Sequence, residues 1–150
     1  MSSFFSAKKY GHERGFSAAF RQWRADSHCK FMHGYSFEFE FVFGAKELDE
    51  NNWVVDFGCF KRNGIKDWFK HMFDHTTIVA KDDPYLKHFE ELHNSDLIQL
   101  RILDDVGCEK FAEYVFKYLN KKIKEETDDR VKVHKVQCWE HGENMAEYYE

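Results

Sequence analysis

The sequence predicts an α+β protein in which helices lie on one face of an antiparallel sheet. Phe37, Phe39, Phe41 and Phe43 alternate with Glu38, Glu40 and Val42, the period of two that marks a half-buried strand. Ile65, Trp68, Phe69 and Met72 fall at helical spacing, as do Ala112, Val115, Phe116, Leu119 and Ile123. Strand-like segments come first, helices follow, and a strand returns near the end, the order expected of helices packed on a hairpin-built sheet.

In chain order, strands are expected around Phe4 to Lys9, across Gly15 to Trp23, and through the phenylalanine run Phe37 to Phe43. Trp53-Val54-Val55-Asp56-Phe57 reads as a short extended piece stopped by Gly58. A helix runs from Ile65 to about Phe73. Lys81 to Ser95 is acidic, holds Pro84 and has room for a short helix, and Leu97 to Leu103 is apolar and extended. The longest helix spans Glu109 to Lys124, with Lys121, Lys122 and Lys124 at the end where the helix dipole favours cations. After a polar turn, Val131 to Glu140 is a strand, with Val136 and Cys138 on one face and Val131, Val133 and Trp139 on the other. Residues 1–150 are read as one domain, since no repeat, low-complexity tract or linker interrupts them.

Composition bounds the function. A chain of 150 residues with 43% hydrophobic and 18% aromatic content can bury its own core, which excludes a disordered chain. The formal net charge of −5 gives no global attraction to nucleic acid or an anionic membrane. No apolar run approaches the roughly 20 residues of a spanning helix. Met1 to Tyr10 lacks a secretory apolar stretch, so the expected setting is cytoplasmic, with no nucleic-acid or membrane partner. The four cysteines, Cys29, Cys59, Cys108 and Cys138, are widely spaced with no C-x-x-C, and read as free thiols. The unburied sheet face still carries apolar residues, and association with further copies is the simplest way to cover it.

Three constellations can carry chemistry. In Ser27-His28-Cys29-Lys30-Phe31-Met32-His33, cationic neighbours would favour a thiolate at Cys29; the same spacing also fits a half-buried cysteine among loop histidines. Asp74-His75 follows a helix, and a carboxylate beside an imidazole can orient it for proton transfer, although the pair taken alone is better read as a helix-stop turn with a capping Asp. Glu140 ends a strand, where a carboxylate can accept two parallel hydrogen bonds from a flat N–H edge. Glu109 has a routine reading as an acid in the first turn of a helix. Arg21 and Arg24 around Trp23 could grip a phosphate, but their alternation with apolar residues fits an exposed strand face equally.

Taken in order, these pieces resemble the 6-pyruvoyl-tetrahydropterin synthase family, which includes the bacterial 6-carboxytetrahydropterin synthases of the 7-deazaguanine (queuosine) route. Phe16-Ser17-Ala18-Ala19-Phe20 resembles F-x-A-A-H, and Cys29-x-x-x-His33-Gly34-Tyr35 resembles C-x-x-x-H-G-H. Val54-Val55-Asp56-Phe57 resembles V-x-D-F, and Phe73-Asp74-His75 resembles L-D-H. Val106-Gly107-Cys108-Glu109 stands where P-T-x-E opens the second helix, and Trp139-Glu140 where a strand ends in E-T. The resemblance covers roughly Gly15 to Tyr149.

The resemblance implies the tunnelling fold, a four-stranded antiparallel sheet with two helices on one face. Several copies would close it into a β-barrel, as a trimer or hexamer with interfacial sites. It implies a lyase-type pterin synthase acting on 7,8-dihydroneopterin triphosphate to give a 6-carboxy- or 6-pyruvoyl-tetrahydropterin. The other reading is a non-catalytic pterin or purine binder. Cys29, Asp74 and His75 would transfer protons; Glu140 would hold the amino-pyrimidine edge, with Glu109 assisting. The family binds zinc through three histidines, and here Phe20 and Tyr35 stand at two of those positions. A zinc site would therefore need His33 joined by His28, His12 or another group. A second register of the first strand, through Phe4-Phe5-Ser6-Ala7, is the other route to a missing ligand.

Overall fold

The computed structural model describes residues 3–150. Its strands are β1 (Phe4–Tyr10), β2 (Ser17–Phe20), β3 (His33–Ser36), β4 (Glu38–Ala45), β5 (Thr76–Ala80), β6 (Leu100–Leu103), β7 (Val131–His141) and β8 (Asn144–Tyr149). Its helices are α1 (Cys59–Arg62) and α2 (Ile65–Phe73), then α3 (Leu86–Asn94) between β5 and β6, and α4 (Cys108–Thr127) between β6 and β7.

The phenylalanine alternation builds the centre. β4 lies between β1 and β7, and β8 completes an antiparallel sheet of order β1-β4-β7-β8. Phe37, Phe39, Phe41 and Phe43 are fully buried on the face that receives the helices. Phe39 meets Phe73 and Phe69 of α2 at ring-centroid distances of 4.8 and 5.4 Å, and Phe37 meets Phe111 of α4 at 5.6 Å. Each such buried ring contributes about 2–3 kcal/mol of apolar burial, which anchors both helices to one strand. The helical stripes Ile65, Phe69, Met72 and Phe111, Val115, Leu119, Ile123 are buried as their spacing requires.

Several expectations need correction. Val131 and Val133 do not oppose Val136 and Cys138: all four are buried on the helix-facing side. Val42 pairs with Lys135 and Phe43 with Val133, so His134 is an extra residue in a bulge that resets the alternation. The extended segment across Gly15 to Trp23 shortens to Ser17–Phe20, and Trp53 to Phe57 is not a strand; the Asp56 carboxylate instead accepts from Gly58 N at 2.8 Å at the start of α1. The second register is not adopted, since Phe4–Tyr10 pairs along β4 while Ser17–Phe20 joins another sheet.

That second sheet, of order β3-β2-β5-β6, was not legible. β2 and β3 are antiparallel, whereas β2–β5 and β5–β6 are parallel, with α3 as the crossover between β5 and β6. Among the described residues, no helix is long and apolar enough to cross a membrane.

Candidate functional site

The register of β2 and β3 places the first part of the site. Phe20 lies opposite His33, and Ala18 lies opposite Tyr35. Side chains two apart on a strand share a face, so Phe20, His33 and Tyr35 come together. Ring centroids are 4.8 Å apart for Phe20–His33, 5.8 Å for His33–Tyr35 and 6.5 Å for Phe20–Tyr35. Gly34 has no side chain because β2 crosses too closely: a Cβ there would run into the Ala18 carbonyl oxygen.

Cys29 sits in a single 3-10 turn, His28–Lys30, capped by Ser27, whose Oγ accepts from Cys29 N at 3.3 Å. The turn is fastened to the end of β2, where Gln22 N donates to the Cys29 carbonyl at 2.9 Å. Gln22 then reaches across to α4, donating from Nε2 to the Val106 carbonyl at 3.0 Å. Gly107 holds φ 114° at the N-terminus of that helix, and a Cβ there would strike the Gln22 amide. Gln22 was not singled out from the sequence. Its role depends on β2 and the α4 N-terminus being neighbours, which no local pattern reports.

Glu140 closes this end of the molecule. Trp139 pairs with Met145 and His141 with Asn144, so Glu140 is the extra residue of a second bulge in β7. Bulges re-aim side chains at strand ends, and this one leaves the Glu140 carboxylate with one hydrogen bond among the described residues, accepted from Asn144 Nδ2 at 3.5 Å. His141 packs 5.9 Å from the Tyr35 ring. Burial raises the Tyr35 phenol above its ordinary pKa, and the charge of the Glu140 carboxylate adds to the rise. Beneath them, Cys138 Sγ and Cys108 Sγ are 3.4 Å apart as free thiols; burial, with the Cys108 contact, pushes the Cys138 thiol up. Glu109 is exposed in the first turn of α4, within 3.7 Å of the position a Gly107 Cβ would take.

Asp74 and His75 sit elsewhere. His75 adopts φ 57°, a left-handed conformation that costs a non-glycine residue about 1–2 kcal/mol. That turn brings the adjacent side chains together, with His75 Nδ1 2.6 Å from Asp74 Oδ1. With Asp74 ionised, Nδ1–H donates and Nε2 is left for proton exchange, on a side chain 81% exposed. Thr76 pairs with Ala18, so His75 stands beside the start of β2, whereas Cys29 is tied to Gln22 beyond its end. The intervening residues span roughly 15 Å at the usual strand rise. Within one chain, the structure does not bring Cys29 and His75 together.

The expected metal ligands are not gathered either. His28 is exposed in its turn, and His33 Nδ1 is 2.7 Å from the Phe31 carbonyl oxygen, so it donates there. His12 Nε2 is 3.8 Å from Glu38, and Nδ1 contacts the Ser36 carbonyl. Among the described residues, no three His, Cys, Asp or Glu side chains are grouped so as to hold a metal ion. At the family's three ligand positions the donors amount to one free imidazole nitrogen and one phenol, since Phe20 has none. These residues do not fit a catalytic zinc, which takes three protein ligands.

The arginines beside the site are engaged. Arg24 pairs with Asp82 at 2.6 Å, and Arg21 donates from Nε and Nη2 to both oxygens of buried Asp83 at 2.8 Å. The Arg21 hydrogen bonds hold the Asp83 carboxyl below the ordinary carboxylate range, against its burial. Asp83→Asn is expected to destabilise the protein by about 2–3 kcal/mol, because it strands a mostly buried guanidinium. A depressed folded pKa stabilises above the unfolded value of about 4 and is lost as pH falls through the folded value. Urea unfolding at neutral and acidic pH should therefore show a smaller acid loss in the variant than in the native protein.

A strand-end carboxylate and a turn cysteine thus lie at one end of the fold, and such a carboxylate can accept from a flat N–H edge. Known proteins narrow that class. Residues 10–150 match the family 6-pyruvoyl tetrahydropterin synthase, and the chain belongs to it. It is 30% identical over 143 residues to 6-carboxy-5,6,7,8-tetrahydropterin synthase of Aquifex aeolicus, covering 91% of this chain and 85% of that one. An uncharacterized protein of Wolinella succinogenes has the same fold, with TM-score 0.82 and 20% identity over 100% of this chain and 99% of that one. Plasmodium falciparum 6-pyruvoyl tetrahydropterin synthase also shares it, with TM-score 0.70 and 13% identity over the same shares of the two chains. The tunnelling fold is therefore the fold of this chain.

Proposed function

We propose that the chain is a pterin synthase that converts 7,8-dihydroneopterin triphosphate to a 6-carboxy-tetrahydropterin. A 6-pyruvoyl product is the second outcome of the same site. The observation that carries this is the arrangement at Glu140: a carboxylate freed by a bulge at the end of β7, where the neighbouring His141 packs on Tyr35 of the Phe20–His33–Tyr35 cluster. Glu140 accepts two N–H groups from the amino-pyrimidine edge of the ring, and Glu109 assists at the head of α4. Cys29 takes a proton from the substrate's side chain. His75, oriented by Asp74, moves a proton at Nε2. The named Aquifex relative favours the carboxy product.

Cys29 and His75 are separated within one chain, so the active arrangement belongs to a homo-oligomer in which one copy supplies the cysteine and a neighbour the histidine. Both edges of the antiparallel sheet support this. β1 exposes Phe4 and Phe5, and β8 exposes Met145 and Tyr149, which further copies would cover on closing a barrel. A non-catalytic pterin or purine binder is not favoured, because the strained His75 turn and its carboxylate serve proton transfer rather than ring recognition.

The test is to incubate the purified protein with 7,8-dihydroneopterin triphosphate and separate the products. A 6-carboxy product supports the assignment. Unchanged triphosphate bound tightly by the protein would favour the binder instead.

A further inference from the structure

The trio Phe20, His33 and Tyr35 disagrees with the zinc site that the family implies, and the disagreement has a structural form. Strand register forces these positions to meet whatever residues occupy them. Phe20 is 2% exposed and packs edge-on against Phe111 at 5.4 Å, so its ring fills the first ligand position with carbon and has no room to turn aside. His33 spends Nδ1 on the Phe31 carbonyl. The third position carries a phenol whose oxygen makes no hydrogen bond among the described residues, with His141, next to Glu140, 5.9 Å from its ring. Neither His28 nor His12 is positioned to replace what is missing.

We propose that this trio is a metal-free aromatic wall of the pterin site, on which the Tyr35 hydroxyl and His33 Nε2 contact the oxygen atoms of the ligand's side chain. The proposal rests on the pterin reading of the site. It makes Tyr35 a specificity-determining residue: the hydroxyl recognises a hydroxylated substituent, while Glu140 recognises the ring. A phenol O–H donates to a ligand oxygen without any metal to hold it, and Phe20 offers the substituent's carbon atoms an apolar surface.

The test uses two probes, neopterin, which carries a trihydroxypropyl side chain, and unsubstituted pterin. Tyr35→Phe keeps the ring packing and removes only the hydroxyl. It should weaken neopterin binding about five- to tenfold, the worth of one hydrogen bond, and leave pterin binding unchanged. Chelation should change neither affinity, and protein purified from zinc-supplemented cells should carry far less than one zinc per chain. The Phe20→His/Tyr35→His double variant should gain one zinc per chain. Stoichiometric zinc in the native protein that His33→Ala removes would overturn the metal-free wall. So would a folded double variant that takes up no zinc. An equal effect of Tyr35→Phe on both probes, or none on either, would overturn the side-chain contact. Failure of the native protein to bind unsubstituted pterin would instead overturn the ring assignment, and the metal measurements would still decide the wall.

Discussion

Glu140→Gln is expected to weaken pterin binding by about 3–4 kcal/mol, several hundredfold, without unfolding the protein. A carboxylate opposite an aminopyrimidine edge accepts a ring N–H and an exocyclic N–H together, and both bonds are charge-assisted. Glutamine keeps the shape but offers one acceptor and one NH2, so one donor of the ligand faces another donor and is left unpaired in a partly desolvated site. Little opposes the substitution in the folded chain, since among the described residues the carboxylate accepts one hydrogen bond, the 3.5 Å one from Asn144. Stability should therefore change by no more than about 0.5 kcal/mol, as at other surface sites. Calorimetric titration with pterin beside a thermal melt checks both halves. Native affinity in a folded variant would remove Glu140 from the site.

Legibility in the sequence followed the range of the interactions. Ile65–Phe73 appears with the predicted bounds, and Cys108–Thr127 overruns its prediction by only a few residues, because a helix is announced by its own apolar stripe. The Phe37 to Phe43 strand was equally plain. β5 was not, since Thr76–Ala80 is a short apolar run without alternation, a pattern buried strands share with other buried segments. β8 alternates too weakly over Asn144–Tyr149 to stand out. The faces of β7 were misread because a bulge adds one residue without any change of composition. The same limit governs the site. Motif order singled out Cys29, Asp74, His75 and Glu140 as candidates, but adjacent residues do not ordinarily face each other. The 2.6 Å contact of Asp74 with His75 arises from one positive φ that sequence does not display. Phe20 and Tyr35 were legible as departures. That they meet His33 in one aromatic cluster required the register of β2 against β3.

Mixing two inactive variants is expected to restore turnover. Cys29→Ala and His75→Asn should each lower activity by about 10²–10⁴-fold, the usual contribution of a positioned acid or base. Asparagine is chosen at position 75 because it tolerates the left-handed backbone that His75 adopts, so the loss reports the imidazole rather than the turn. Cys29 is half-buried with no side-chain hydrogen bond among the described residues, and alanine there should leave the turn intact. A proton relay needs groups within hydrogen-bond reach of the same substrate, and the separation along β2 forbids that inside one chain. If the site forms between copies, an oligomer mixed from both variants contains interfaces where native Cys29 of one subunit meets native His75 of the next. With random assortment, about a quarter of interfacial sites carry both groups. Dissociation, mixing and reassembly, followed by assay with 7,8-dihydroneopterin triphosphate, should recover about that share of native activity. A reassembled mixture no more active than its components would show that the two residues do not serve one interfacial site, and would return the catalytic assignment of His75 to question.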